Sequence, residues 1–325
     1  MRRTSPARPF ATTLAVTALA LSAGCGGSGG PATGGTAGRP DRITVGVIAI
    51  VDVAPIYLGR AKGFFSKRNI DMTLQAGSGG SASISGVVSG QFQFAFANIT
   101  SLLVARDKGL PLKVLANGNA STGVAGKDFG AVVVKAGSPI RSPRDLAGHT
   151  VSVNNLKNIL DTTIRASVRK DGGDPSRIKF VELAFPDAPA AVLGGKVDAA
   201  GVVEPFLTTA ISQGARPVSW CLVDTAPNLT IAAYFTREQT ATSNPDLTKR
   251  FTDAINESLA YARAHPDEAR DVVKTYTKIP ADVLTKITLP AWPNDLNRDS
   301  ISTLARLAQQ DGLISKPADL TALLP

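Results

Sequence analysis

Two cysteines and two histidines are all that this 325-residue chain contains. An iron–sulfur cluster or a disulfide framework needs more than that, and Cys25, His149, Cys221 and His265 lack the paired spacing of a Cys2His2 zinc site. Cys221 stands alone in the body of the chain and reads as a small core residue instead of a nucleophile. His149 lies in a Gly-His-Thr turn and His265 precedes Pro266, which suits surface or turn residues better than a general base. No strand-to-helix Gly-x-Ser-x-Gly elbow and no phosphate-binding Gly-x4-Gly-Lys-Ser/Thr loop occurs. Catalysis therefore lacks its usual parts. Aromatics make up 6% of the chain, and no Lys/Arg run is interleaved with them, so nucleic-acid binding has no footprint beyond bulk charge.

What the chain does have begins with an export signal. Arg2, Arg3 and Arg8 precede an apolar run from Phe10 to Leu21, too short to span a bilayer and suited to a secretory core. It ends in Leu21-Ser22-Ala23-Gly24-Cys25, which resembles a bacterial lipobox, with Ser22 where Leu is commoner. The resemblance implies cleavage of residues 1–24 and lipid on Cys25, hence no internal disulfide with Cys221. Loss of the three leader arginines lowers the formal charge from +9 to +6. Residues Gly26 to Pro40, GGSGGPATGGTAGRP, have almost no apolar mass; residues 25–41 are expected to be the lipidated cysteine and a flexible tether reaching roughly 20 Å.

The folded part opens with DRITVGVIAIVDVAPIYLGRAKGFF, Asp41 to Phe65. Ile43, Val45 and Val47 to Val51 form an apolar strand of the kind buried on both faces of a parallel sheet. Asp52 stands where a helix N-cap belongs, Pro55 suits a first turn, and Gly63 suits a helix stop. Ile70 to Ala76 alternates as a second strand and runs into Gly77-Ser78-Gly79-Gly80, a helix start whose free N–H groups favour an anion or a carbonyl. A third strand, Phe92 to Ala97, ends at Asn98. Leu112 to Leu115 is a fourth, followed by a polar stretch, Asn117 to Lys127, read as a loop or crossing. The pattern then repeats: Val151 to Val153 ends at Asn154-Asn155, Ile178 to Leu183 at Pro186-Asp187, and Val197 to Val203 at Glu204-Pro205. Ser89-Gly90-Gln91-Phe92-Gln93-Phe94-Ala95 and Gly194-Gly195-Lys196-Val197-Asp198-Ala199-Ala200 share one cadence, as two similar α/β lobes would. Thr230 to Thr236 is a strand that crosses back to the first lobe, and helices follow from Pro245 and from Asp299 to Gln310. Trp292 falls in a Pro-bounded loop that either borders the cleft or packs in the core.

These residues resemble the type II periplasmic binding proteins of ABC importers, in the branch that takes nitrate, taurine, aliphatic sulfonates and thiamine-pyrimidine precursors. Ile43 to Val47, Ala54-Pro55-Ile56-Tyr57, Lys62 to Phe65, Gly90 to Phe94, Ser142 to Val151, Gly195 to Ala199, Glu204-Pro205-Phe206 and Asn244-Pro245 carry the resemblance. It implies an α/β fold of two Rossmann-like lobes joined by two crossing segments, residues 42–122 plus 230–325 and residues 123–229. Hinges are expected near Ala120 to Asp128 and Leu222 to Thr230. The resemblance implies a non-enzymatic, monomeric lipoprotein on the outer face of the cytoplasmic membrane, which captures a small polar solute for an ABC permease and its ATPase. No cofactor and no metal is implied.

Matched by position, the expected ligand contacts are Asp52, Tyr57, Ser78, Gly79 and Asn98 from the first lobe, and Asn154, Asn155, Asp187 and Glu204 from the second. Each has a plainer alternative: Asn98 and Asn155 as helix caps, Tyr57 as a core residue, Asp52 and Glu204 as acids satisfied by their own helix starts. A sulfonate, taurine or nitrate is the first expectation for the ligand. An aminopyrimidine is the alternative if either acid faces the cleft, since a buried carboxylate demands an N–H donor or a cation. A small-molecule-metabolising enzyme on the same fold is the remaining class.

Overall fold

The computed structural model describes residues 38–325. The expected leader, Cys25 and most of the tether lie outside the described residues. Ten strands form two five-stranded sheets. The first contains β1 (Asp41–Ile48), β2 (Ile70–Gly77), β3 (Phe94–Asn98) and β4 (Leu112–Ala120). The second contains β5 (Gly130–Lys135), β6 (Thr150–Val153), β7 (Lys179–Glu182), β8 (Ala199–Val203) and β9 (Ala215–Ser219). The chain then returns with β10 (Thr230–Arg237) to lie between β3 and β4.

The strand orders are β2-β1-β3-β10-β4 and β7-β6-β8-β5-β9. In each sheet three strands run parallel, and the fourth position is filled by an antiparallel strand that enters directly from a crossing segment. β1 and β6 are equivalent, each the middle of its three parallel strands, and β3 and β8 are their equivalent neighbours. The shared cadence of the sequence leads into this pair. Gly90 and Gly195 both take positive φ, +82° and +70°, to turn out of a helix. Three residues on, Gln93 Oε1 accepts from Thr44 N and Asp198 Oδ2 accepts from Thr150 N, both at 2.8 Å. One local solution for starting a parallel strand is thus used in both sheets.

Two expectations change. Residues from Asn117 are strand, not loop, because β4 continues to Ala120 alongside β10 through several register shifts. Gly118 permits that approach: a Cβ there would lie 2.5 Å from the Phe96 ring and 2.9 Å from the Ala232 carbonyl oxygen. β9 has no counterpart among the strands expected from the sequence. Pro217 within it is tolerated because β9 is an edge strand, paired only with β5.

The core of the first sheet is aromatic. Phe251, on the helix Pro245–Ala264, stacks on Phe94 at 4.0 Å between ring centres, with Tyr234 edge-on at 6.2 Å. Cys221 is fully buried, and burial pushes its thiol up to about 12, which suits the core role read from sequence. The two crossings lie side by side, with Ser121 N donating to Leu229 O at 2.9 Å. Asp128 clasps the first crossing by accepting from Ser121 Oγ at 2.7 Å and Thr122 N at 2.9 Å.

Candidate functional site

The strand ends β1, β3 and β10 face the ends of β6 and β8 across a closed cleft. It encloses a cavity of about 30 Å3, roughly one water's share of the liquid. Ile48, Ile50, Phe96 and Ile231 wall it from the first sheet, and Ile159, Leu160, Phe185 and Leu222 from the second. Asp52, Asn98 and Asn154 are its polar members, and no arginine, lysine or histidine lines it. A larger, open groove of about 790 Å3 lies beside Trp292 and the crossings, and it shares no lining residue with this cavity.

Asp52 does not cap a helix. It lies within the turn Val51–Val53, and the helix Ala54–Ala61 starts on Val53 with no side-chain cap. Its carboxylate is instead 2% exposed, accepts from Asn119 Nδ2 at 2.8 Å through Oδ2, and leaves Oδ1 without a partner. Burial raises its pKa from 3.8 to about 7, against the lowering from its own N–H and from Asn119; the Asp128 charge adds to the rise. Around it stand further buried polar atoms that lack partners: Asn119 Oδ1 and the Tyr234 hydroxyl. The Tyr234 phenol is held well above its ordinary value by burial and by Tyr57 and Asp52 nearby. Such unmet groups are costly in an interior.

The remaining expected contacts divide. Gly79 is brought against the second sheet, where a Cβ would lie 2.0 Å from Asn155 Oδ1, an atom that itself has no partner. Asn98 caps its own helix through Ser101 N at 2.9 Å. Asn154 Oδ1 accepts from Asn158 Nδ2 at 2.7 Å, and Asn158 caps the helix Ile159–Lys170. Tyr57 stacks on Tyr276 at 4.0 Å, close to parallel, which is mainly a packing role. Ser78 and Asp187 are exposed, with no side-chain hydrogen bond among the described residues. The Glu204 carboxylate is spent: it accepts from Thr208 N at 2.9 Å, Thr208 Oγ1 at 2.7 Å and Thr288 N at 3.2 Å.

Three residues of the site were not singled out as contacts by sequence reasoning. Asn119 falls in the stretch expected as loop, although Asn117 and Asn119 alternate as strand residues do. Tyr234 carries the one side-chain hydroxyl inside the otherwise apolar run Ile231 to Phe235. Trp292, for which cleft border and packing are both open in the sequence, packs in the core: it is 2% exposed, its Nε1 donates to the Asp52 carbonyl oxygen at 3.1 Å, and it lines the larger groove, not the small cavity. His149 pairs with Asp198 Oδ2 at 3.3 Å and His265 stacks on Tyr261 at 3.9 Å, so neither reaches the cleft. Among the described residues no group of three or more His, Cys, Asp or Glu gathers as a metal site.

A family model described as NMT1/THI5 like matches residues 50–269. The riboflavin-binding protein RibY of Chloroflexus aurantiacus is 26% identical over 273 residues, covering 78% of this chain and 73% of that protein. A putative thiamine biosynthesis protein of Haemophilus influenzae is 24% identical over 280 residues, 82% and 85% of the two chains. The ligand-binding component of an ABC-type import system from Staphylococcus aureus, solved with zinc bound, superposes with a TM-score of 0.73 at 16% identity. The superposition covers 87% of this chain and 96% of that one.

Proposed function

From a chain that belongs to the NMT1/THI5-like family, we propose an extracytoplasmic solute-binding protein that closes two lobes on a small solute and delivers it to an ABC importer. The observation that carries this reading is the cleft itself, walled from both sheets at their strand ends, where open α/β sheets bind ligands. Two crossing segments side by side are the connection that a hinged trap needs. Binding without chemistry is the better reading, because the cleft holds no histidine and the Cys221 thiol is buried and protonated.

The chemistry of the lining suits best a flat, largely apolar heteroaromatic with an N–H donor, an aminopyrimidine being the model, for which the lobes must part beyond the 30 Å3 of the closed cleft. Asp52 Oδ1 is a buried acceptor awaiting a donor, the walls are aliphatic and aromatic, and no cation is available for a bare sulfonate or nitrate. Riboflavin, named for the Chloroflexus relative, is also a flat heteroaromatic with an N–H group. Calorimetric titration against aminopyrimidines, riboflavin, taurine, alkanesulfonates and nitrate is expected to give one saturable heteroaromatic ligand. Tight nitrate or alkanesulfonate binding would overturn the ligand class, and uniform silence would overturn the capture reading.

The lobes are proposed as residues 42–122 with 230–325, and residues 123–229. A lipid on Cys25 would hold the protein on the outer face of the cytoplasmic membrane as a monomer. Cys25→Ser is then expected to move it from the membrane to the soluble fraction, and retention at the membrane would contradict the anchor.

A further inference from the structure

Glu204 ends β8, and every polar atom that it carries is engaged. Its N–H donates to Phe129 O at 2.8 Å, where the first crossing enters β5, and its carbonyl accepts from Val51 N at 3.0 Å. The two carboxylate bonds to Thr208 are local, four residues along the chain, and need no closure of the cleft. The bonds to Val51 N and Thr288 N are different: Val51 follows β1 of the first sheet, and Thr288 lies three residues before Ala291, which is bridged to the end of β4. Val51 immediately precedes Asp52. Thr288 lies four residues before Trp292, whose indole donates to the Asp52 carbonyl oxygen. Residues 291 and 120 pair as an antiparallel bridge, so this stretch is fastened to the end of β4. Glu204 therefore closes a ring through Val51, Asp52, Trp292 and Thr288 that crosses the gap between the sheets at two points.

We propose that Glu204 is the closure latch of the cleft, a positioning residue that never touches the solute. It holds the second lobe against the two segments that fix Asp52, so that closing the lobes and setting the Asp52 carboxylate are one event. A ligand then gains from Asp52 only in the closed form, which makes closure selective. The latch rests on the solute-capture reading only for its purpose; the contacts stand without it.

Hydrogen exchange of the purified protein, with no solute added, tests the latch. Glu204→Ala removes the carboxylate but leaves the carbonyl that Val51 N uses. Val51 should nevertheless exchange about tenfold faster, the worth of one hydrogen bond to a charged group, while amides of β3 and β10 keep their protection. Thr288→Pro, which deletes the donor from the other side, should do the same, whereas Thr288→Ala should do nothing. Unchanged protection at Val51 in both Glu204→Ala and Thr288→Pro would overturn the proposal. If β3 and β10 also lose protection, the variant has not folded, and Glu204→Gln, of equal size, decides by a smaller shift of the same sign or by none. With an aminopyrimidine as probe, release should be about tenfold faster in the latch variants. A wild-type protein that binds none of the solutes would sink the capture reading and leave the exchange result standing.

Discussion

Replacing Asp52 by asparagine is expected to weaken solute binding by at least about tenfold and, at the same time, to stabilise the solute-free protein at pH 8. The two effects share one cause. Asp52 is a buried carboxylate whose pKa is raised from 3.8 to about 7, so the folded protein holds its proton more tightly than the unfolded chain does. The stability this group contributes is fully present below pH 4, is lost as pH rises through about 7, and stays lost above. At about 1.4 kcal/mol per unit, the ionised acid costs up to about 4 kcal/mol at pH 8. The amide of Asp52→Asn does not titrate, so its unfolding free energy should fall less steeply between pH 4 and 8 than that of the wild type, as chemical denaturation across that range would show. Binding moves the other way. The new side chain would give its oxygen to Asn119 Nδ2 and turn an N–H2 group toward the solute, donor against donor. In the wild type, affinity for an N–H-bearing solute should rise with pH through about 7, as the acceptor becomes charged. A variant that binds as well as the wild type would remove Asp52 from the site.

Gly79→Val is expected to hold the lobes apart and to lower affinity by about ten- to hundredfold, at nearly unchanged thermal stability. Gly79 has φ of 172°, extended backbone that any residue adopts, so no strain arises within its own segment. The obstacle lies across the cleft: a Cβ would stand 2.0 Å from Asn155 Oδ1, 2.8 Å from Asn155 Cγ and 2.9 Å from Asn154 Nδ2. Alanine can be met by rotation of Asn155, because the nearest atom is the end of a side chain. Valine adds two methyl groups that reach the rest of both asparagines, and overfilling a fitted contact costs about 1–3 kcal/mol. That cost falls on the closed form alone. Small-angle scattering with saturating aminopyrimidine should show the compact closed form in the wild type and a more extended form in Gly79→Val, and equal dimensions would refute the contact.

Much of this architecture is legible in the chain because its causes are local. Apolar strands ending in Asp52, Gly79, Asn98, Asn154 and Glu204 can be read from periodicity and from the polar residue that stops each run. The paired cadence at Gly90 and Gly195 marks equivalent positions because each solves the same problem, a turn out of a helix into a parallel strand. The reading failed where polar residues belong to a strand. Asn117 and Asn119 look like loop, but β10 supplies their backbone partners from more than 110 residues away.

The sequence alone determined the alternation of strands and helices, the strand-end position of the candidate site and the choice between two fates for each acid, since these follow from patterning over a few residues. Tertiary structure decided which fate each acid met. Glu204 finds donors four residues ahead at Thr208 and is satisfied by its own helix. Asp52 is followed by a helix that starts without it, and its partners come from Asn119, 67 residues on, and Trp292, 240 residues on. Hydrogen bonds at such separations depend on how two sheets and a returning strand are assembled. Hence only the assembled fold leaves one oxygen of Asp52 free for a ligand and turns Glu204 into the clasp beside it.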